Sequence, residues 1–247
     1  MKLSHPLPVF LYHRINEAGG PGCTSLPVFR QHLDALADSG WRSLTLQEFE
    51  EIVTGRCSCP SRAFLITFDD GCDDLPTVAR ELALRGFSGV AFIVTGWLDG
   101  TTGRVDRQMV RKLSDEGIIE IASHGHDHID FRANSDRNPG LARSDLSASL
   151  KEVGEMIGNP GRVHLAWPWG RSSETSRAMA RELGFRLQFT VASRPVTETG
   201  TLADLWPRIC VERMQAPAFS ILTRLLRSRS ACRLMALLNR MKRSAVR

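Results

Sequence analysis

Short apolar runs alternate along the chain with longer stretches whose apolar residues recur every three or four positions, the pattern of strands joined by crossover helices. The runs predict strands at Val9–Tyr12, Phe64–Phe68, Val90–Val94, Ile118–Ala122, His164–Trp167, Leu187–Val191 and Ile209–Val211. Helices are predicted near 27–39, 45–54, 75–85, 107–116, 141–157, 174–183 and 217–243, several of them stopping at a glycine such as Gly86, Gly117 or Gly184, where a left-handed C-cap is cheapest. The strand runs are rich in Val, Ile and Phe without polar alternation, so they are expected to be buried on both faces, as in a parallel sheet or barrel. Such an α/β fold collects its functional residues at the C-terminal ends of the strands.

A chain of 247 residues with 42% hydrophobic content can bury one large core. The net charge of +5 is uneven, because residues 213–247 carry nine Lys or Arg and no acid, leaving the first 212 residues net negative. The chain therefore divides into a body at 1–212 and a basic, amphipathic helical tail at 213–247, with Arg224, Arg227 and Arg233 set among Phe219, Leu222, Leu226, Leu234 and Leu238. Such a tail either packs its apolar face on the body and leaves its basic face to solvent, or lies on an anionic membrane surface. Nucleic acid is not expected as a partner, since no aromatic residues are interleaved with the basic ones. The apolar stretch after Met1 is too short and too soon interrupted by Pro6 and Pro8 for a signal peptide or a spanning helix, so a cytoplasmic location is expected, peripheral to the inner face of the membrane if the tail binds there. Six scattered cysteines without a Cys-x-x-Cys pair read as free thiols.

Two segments carry candidate chemistry. Phe64–Phe68 runs directly into Asp69, Asp70 and Gly71. Adjacent residues at a strand end face opposite ways, so one carboxylate can ligate a metal while its neighbour reaches a bound water. Ile118–Ser123 leads into His124, Gly125, His126, Asp127 and His128. Fully extended, His124 and His128 would lie roughly 13 Å apart, too far to share an ion, whereas a helical turn after His124 would bring them together. If the segment stays extended, His124 and His126 face the same way instead and form a His-x-His pair like that of amidohydrolases acting on another amide. Asp70 with two histidines makes three ligands and leaves an open position, the pattern of a catalytic zinc site.

Thr67-Phe68-Asp69-Asp70-Gly71, followed some fifty residues on by Ser123-His124-x-x-x-His128, resembles the polysaccharide deacetylases of carbohydrate esterase family four. The resemblance covers residues 7 to about 212 and implies a distorted (β/α) barrel. It also implies a metal-dependent hydrolase that removes the N-acetyl group from an acetylated amino sugar and releases acetate. Carried over, Asp69 is the base, and Asp70, His124 and His128 hold a divalent metal, zinc by preference with cobalt or nickel as alternatives. Trp167-Pro168-Trp169-Gly170 matches an aromatic-Pro-aromatic-Gly run that walls the substrate groove. Leu11-Tyr12-His13-Arg14 resembles the subgroup whose N-terminal histidine replaces a C-terminal acid, which makes His13 the general acid. Arg208 matches a subgroup position beside the groove that orients the base. Gly125 departs from the Ser or Thr that usually follows the first metal histidine, so a loop-ordering hydrogen bond is expected to be missing. A non-catalytic carbohydrate-binding relative is the other alternative, which an intact Asp69 argues against.

Overall fold

The computed structural model describes residues 1–200, 205–228 and 230–231. Seven parallel strands form a closed ring: β1 (Val9–Tyr12), β2 (Ala63–Asp69), β3 (Gly89–Ile93), β4 (Ile119–Ser123), β5 (Leu165–Ala166), β6 (Gln188–Val191) and β7 (Trp206–Cys210). Each pairs with its successor in sequence, and β7 returns to β1 through Ile209 opposite Phe10 and Cys210 opposite Leu11. The ring is a (β/α) barrel of seven strands, and every sequence-predicted strand is one of its staves.

Among the described residues, eight α-helices accompany the strands: α1 (Leu26–Asp38), α2 (Leu46–Val53), α3 (Leu75–Ala83), α4 (Arg107–Glu116), α5 (Phe131–Arg137), α6 (Pro139–Met156), α7 (Glu174–Leu183) and α8 (Ala216–Leu226). Alternation along each strand splits the core in two. The barrel interior, with Val9, Leu65, Val90, Phe92, Ala122, Ala166 and Phe189, forms one apolar cluster with Leu46, Phe49, Ile52 and Val53 of α2. The outward residues, with Phe10, Phe64, Phe68, Ile121 and Leu165, pack beneath the surrounding helices. Helix α2 therefore plugs the N-terminal end of the barrel. Its first amide, that of Leu46, donates to Glu120 Oε1 of β4 at 2.7 Å, so an interior strand residue satisfies a helix-end donor.

Two departures from the sequence reading have physical causes. Helix α5 was not expected because Phe131-Arg132-Ala133-Asn134-Ser135-Asp136-Arg137 offers too few apolar residues for a stripe; Asp130 starts it by accepting from the amides of Arg132 and Ala133. Lys2–Leu7 forms an outlying strand antiparallel to Val196–Glu198, a non-local pairing that no local pattern announces. The helix predicted over 217–243 is described only as α8 and the helical residues Ser230 and Ala231; Leu234, Leu238 and the rest of the predicted tail stripe lie outside the described residues. Within the segment assigned to the tail, Phe219 of α8 is fully buried and stacks on His32 with centroids 4.1 Å apart. Among the described residues, no helix is long and apolar enough to cross a membrane.

Candidate active site

Alternation on β2 sends Leu65, Thr67 and Asp69 inward, and the same rule brings Arg208 of β7 inward above Trp206. The two charges meet inside the barrel: Arg208 Nη1 donates to Asp69 Oδ1 at 2.6 Å and Nη2 to Oδ2 at 2.8 Å. Arg208 is wholly buried and Asp69 is 3% exposed, so the carboxylate is held in one orientation by a two-pronged pair. Burial alone would raise the Asp69 carboxyl, but Arg208 and His124 outweigh it and hold the group down at about 2, ionised at any working pH. Arg208 is thus placed to orient the base, as expected, but it is wholly buried and does not line the groove surface; among the described residues its carboxylate partner is Asp69.

Asp70 leaves the strand with φ +75° and Gly71 follows at +66°, a left-handed turn that swings the second carboxylate across the barrel mouth. Its Oδ1 lies 3.6 Å from His124 Nε2 and 3.6 Å from His128 Nε2, is buried, and has no hydrogen-bond partner. An unpartnered buried carboxylate oxygen between two imidazole nitrogens is chemistry that fits a cation. The ligand atoms of Asp70, His124 and His128 all lie within 4.8 Å of one another. His124 Nδ1 is 2.8 Å from the Ala166 carbonyl, to which it donates, and that bond leaves Nε2 bare for a metal. Burial lowers both imidazoles, His128 to about 4, so each stays in the neutral form that ligates.

The two histidines converge without the helical turn expected from their spacing. Gly125 at φ +83° and His128 at +54° bend the chain back, and the ring centroids come to 5.0 Å. His126 points elsewhere, with Nδ1 2.9 Å from Thr95 Oγ1 and 3.4 Å from Glu152, so it is not paired with His124 as the amidohydrolase pattern requires. Among the described residues, Asp70, His124 and His128 are the one group of His, Cys, Asp or Glu arranged to hold a metal.

His13 follows β1 at the mouth. Its Nδ1 lies 2.7 Å from Glu212 Oε2, a partner that sequence reasoning missed, although an acid just beyond the end of a barrel strand is itself a signal. Burial would lower His13, but the Glu212 hydrogen bond and the charges of Asp69, Glu212 and Asp70 outweigh it, and its pKa rises above the usual value.

In the aromatic run, Trp167 and Pro168 are corrected from groove wall to core: Trp167 is fully buried, packs on Phe131 and donates to Gln188. Trp169 alone faces outward, 55% exposed, edge-on to His128 at 4.3 Å, in a left-handed conformation at φ +53°. Gly170 sits where a Cβ would come within 2.5 Å of the Val191 amide, so the run can lie against β6 only with glycine there. Trp97, 5.1 Å from His128 and covered by Arg104, forms a second aromatic wall that the sequence did not disclose.

The family described as polysaccharide deacetylase matches residues 58–188. YxkH of Bacillus subtilis (strain 168) is 25% identical over 185 residues, covering 74% of this chain and 64% of its own. The poly-beta-1,6-N-acetyl-D-glucosamine N-deacetylase of Escherichia coli (strain K12) is 23% identical over 202 residues, covering 66% of this chain and 30% of its own. The chain thus spans less than two thirds of the length of either relative. The Streptococcus pyogenes deacetylase PplD shares the fold, with TM-score 0.76 at 17% identity over 90% of this chain and 98% of that one.

Proposed function

Because the chain belongs to the polysaccharide deacetylase family, we propose that it removes the N-acetyl group of an acetylated amino sugar with a divalent metal held by Asp70, His124 and His128. The observation that carries this reading is the unpartnered Asp70 Oδ1 between Nε2 of His124 and Nε2 of His128, with the ionised Asp69 3.6 Å from the former. One carboxylate and two imidazoles suit zinc, and cobalt or nickel in its place. When bound, the metal would supply a Lewis acid able to activate water and polarise the acetamide carbonyl.

The side chains divide the remaining work. Asp69, ionised at any working pH and held in one orientation, accepts the proton of the attacking water. Arg208 keeps both oxygens of Asp69 in place. His13, its pKa raised beside Glu212, carries a proton at Nε2 for the departing amine. Trp169, exposed beside His128, offers an apolar face against which a sugar ring stacks. The products are acetate and a free amino sugar. The E. coli relative is named for a poly-N-acetylglucosamine substrate, and a glycan of this class heads the panel to test, beside lipid-linked and nucleotide-linked N-acetylated sugars and small glycosides. Acetate release from that panel, with and without chelator, is the test. Activity that survives complete removal of metal would overturn the reading.

The basic C-terminal segment adds a proposed location, an anionic membrane surface, supported by Ile221 at 58% exposure on α8 with Arg224 and Arg227 exposed beside it.

A further inference from the structure

The bend that joins His124 to His128 is held from outside, by α6. Three successive amides of the segment find their acceptors through that helix. The His126 amide donates to Asp145 Oδ1 at 2.8 Å and the Asp127 amide to Asp145 Oδ2 at 2.7 Å. The Gly125 amide donates to Ser123 Oγ at 3.1 Å, and the Ser123 hydroxyl donates in turn to Ser149 Oγ at 3.0 Å, one helical turn beyond Asp145. The carbonyls are met from the other side, where the amides of Thr95 and Gly96 donate to Gly125 and His126. An irregular segment buried in this way keeps its shape only if such groups are paired.

Asp145 stands out among these partners. It is 3% exposed on the apolar stripe of α6, between Ala142 and Leu146, where a carboxylate is costly unless it is well bonded. Burial pushes its carboxyl up, opposed by the two amide hydrogen bonds. Gly125 makes room for it: a Cβ there would stand 3.0 Å from Asp145 Oδ1. The loop-ordering hydrogen bond expected to be lost with a glycine after His124 is thus supplied by a different residue.

We propose that Asp145 is the positioning residue of the metal site, its two oxygens bracing the amides of residues 126 and 127 so that His128 folds back onto Asp70. This rests on the metal reading above, and the test separates the two. Zinc titration of the metal-free protein is compared for wild type, Asp145→Asn, Gly125→Ala and Ser149→Ala, with hydrogen exchange of the 124–130 segment followed in the same metal-free samples. Asp145→Asn keeps the volume but surrenders one of the two acceptors. It should weaken zinc binding by about ten- to a hundredfold, the usual effect of losing a group that orients a ligand, and should speed exchange in the segment. Gly125→Ala, which keeps every ligand and Asp145 itself, should fall in the same range and decides the matter if Asp145→Asn does not fold. Ser149→Ala should stay within about threefold of wild type, since both amide bonds to Asp145 survive and each such step in zinc affinity is small on this scale. A residue that merely supports α6 would lower thermal stability and leave zinc affinity and segment exchange unchanged, and that outcome overturns the proposal. Wild-type protein that binds no zinc defeats the metal reading, while the exchange arm still judges Asp145.

Discussion

The two ends of the barrel use the same seven strands for opposite purposes. At the N-terminal end, interior positions are apolar and α2 closes the opening with Phe49, Ile52 and Val53, all buried. At the C-terminal mouth, the next inward positions on the same strand lines are Asp69, His124 and Arg208, and the side chains are polar, closely spaced and in part unpartnered. Backbone strain follows the same division. Six non-glycine residues among those described have positive φ, and three of them, Asp70, His128 and Trp169, belong to the mouth. Conformations that cost free energy collect where side chains must be aimed, not where the core is filled.

The largest effects should come at the mouth and appear in activity. Asp69→Asn should reduce turnover by roughly two to four orders of magnitude, the usual worth of a positioned base, while zinc stays bound. It also sharpens the comparison, because it leaves the buried Arg208 without its counter-charge and should lower stability by roughly 3–5 kcal/mol, measured by denaturant unfolding. Asp70→Asn should behave differently, losing metal with little change in the stability of the metal-free protein, since Asn tolerates the left-handed φ of +75° as well as Asp does. Equal loss of zinc in both variants would remove the distinction between base and ligand.

At the closed end the effect should be on stability alone. Phe49→Ala removes a fully buried ring that packs on Phe189 and Trp206, and should cost roughly 3–5 kcal/mol while the folded fraction keeps its turnover number. A large fall in turnover per folded molecule would show that the plug and the mouth are coupled, breaking the comparison.

Both ends were legible in the sequence to the extent that they depend on local pattern. All seven barrel strands came from apolar runs, and Asp69, Asp70 and His124 from their places at strand ends, while position alone left His126 and His128 as rivals and the family resemblance chose His128. What local pattern cannot contain is who meets whom. Glu212 and His13 are 199 residues apart in sequence, and the Arg208–Asp69 pair spans 139. The bend at His124–His128 depends on Asp145, whose one trace in the sequence is an acid on the apolar stripe of α6. Trp167 and Trp169 look alike in the run that contains them, and only the left-handed turn at Trp169 sends one inward and the other out.

A smaller effect at the mouth concerns the pH profile. Glu212 raises the pKa of His13, and His13 in turn lowers that of Glu212. Below about 6.5, the ordinary value for His, the raised His13 contributes its full stabilisation, which is lost as pH rises through its folded pKa. Glu212, being lowered, contributes above its ordinary carboxyl range and loses that contribution in acid. The pair is therefore strongest between these limits. If protonated His13 is the acid, the alkaline limb of kcat should move to lower pH in Glu212→Gln, with kcat at acidic pH changed little. An alkaline limb that stays in place would assign the acid to another group.

The smallest expected effect lies outside both ends, on α8. Phe219 is part of the core, so cutting the chain before α8 would unfold more than it tests, and charge reversal in the full-length protein is the cleaner probe. Arg224 and Arg227 are exposed beside Ile221, and each basic residue near an anionic surface contributes about 1 kcal/mol. Reversing both should therefore weaken binding to phosphatidylglycerol-containing vesicles by roughly thirtyfold or more at low salt. Binding to neutral phosphatidylcholine vesicles should be unaffected, and acetate release from a soluble substrate should match wild type. If the wild-type protein does not co-sediment with anionic vesicles, or if the double variant pellets with them equally well, these arginines belong to a solvated helix face and the membrane proposal falls without touching the active site.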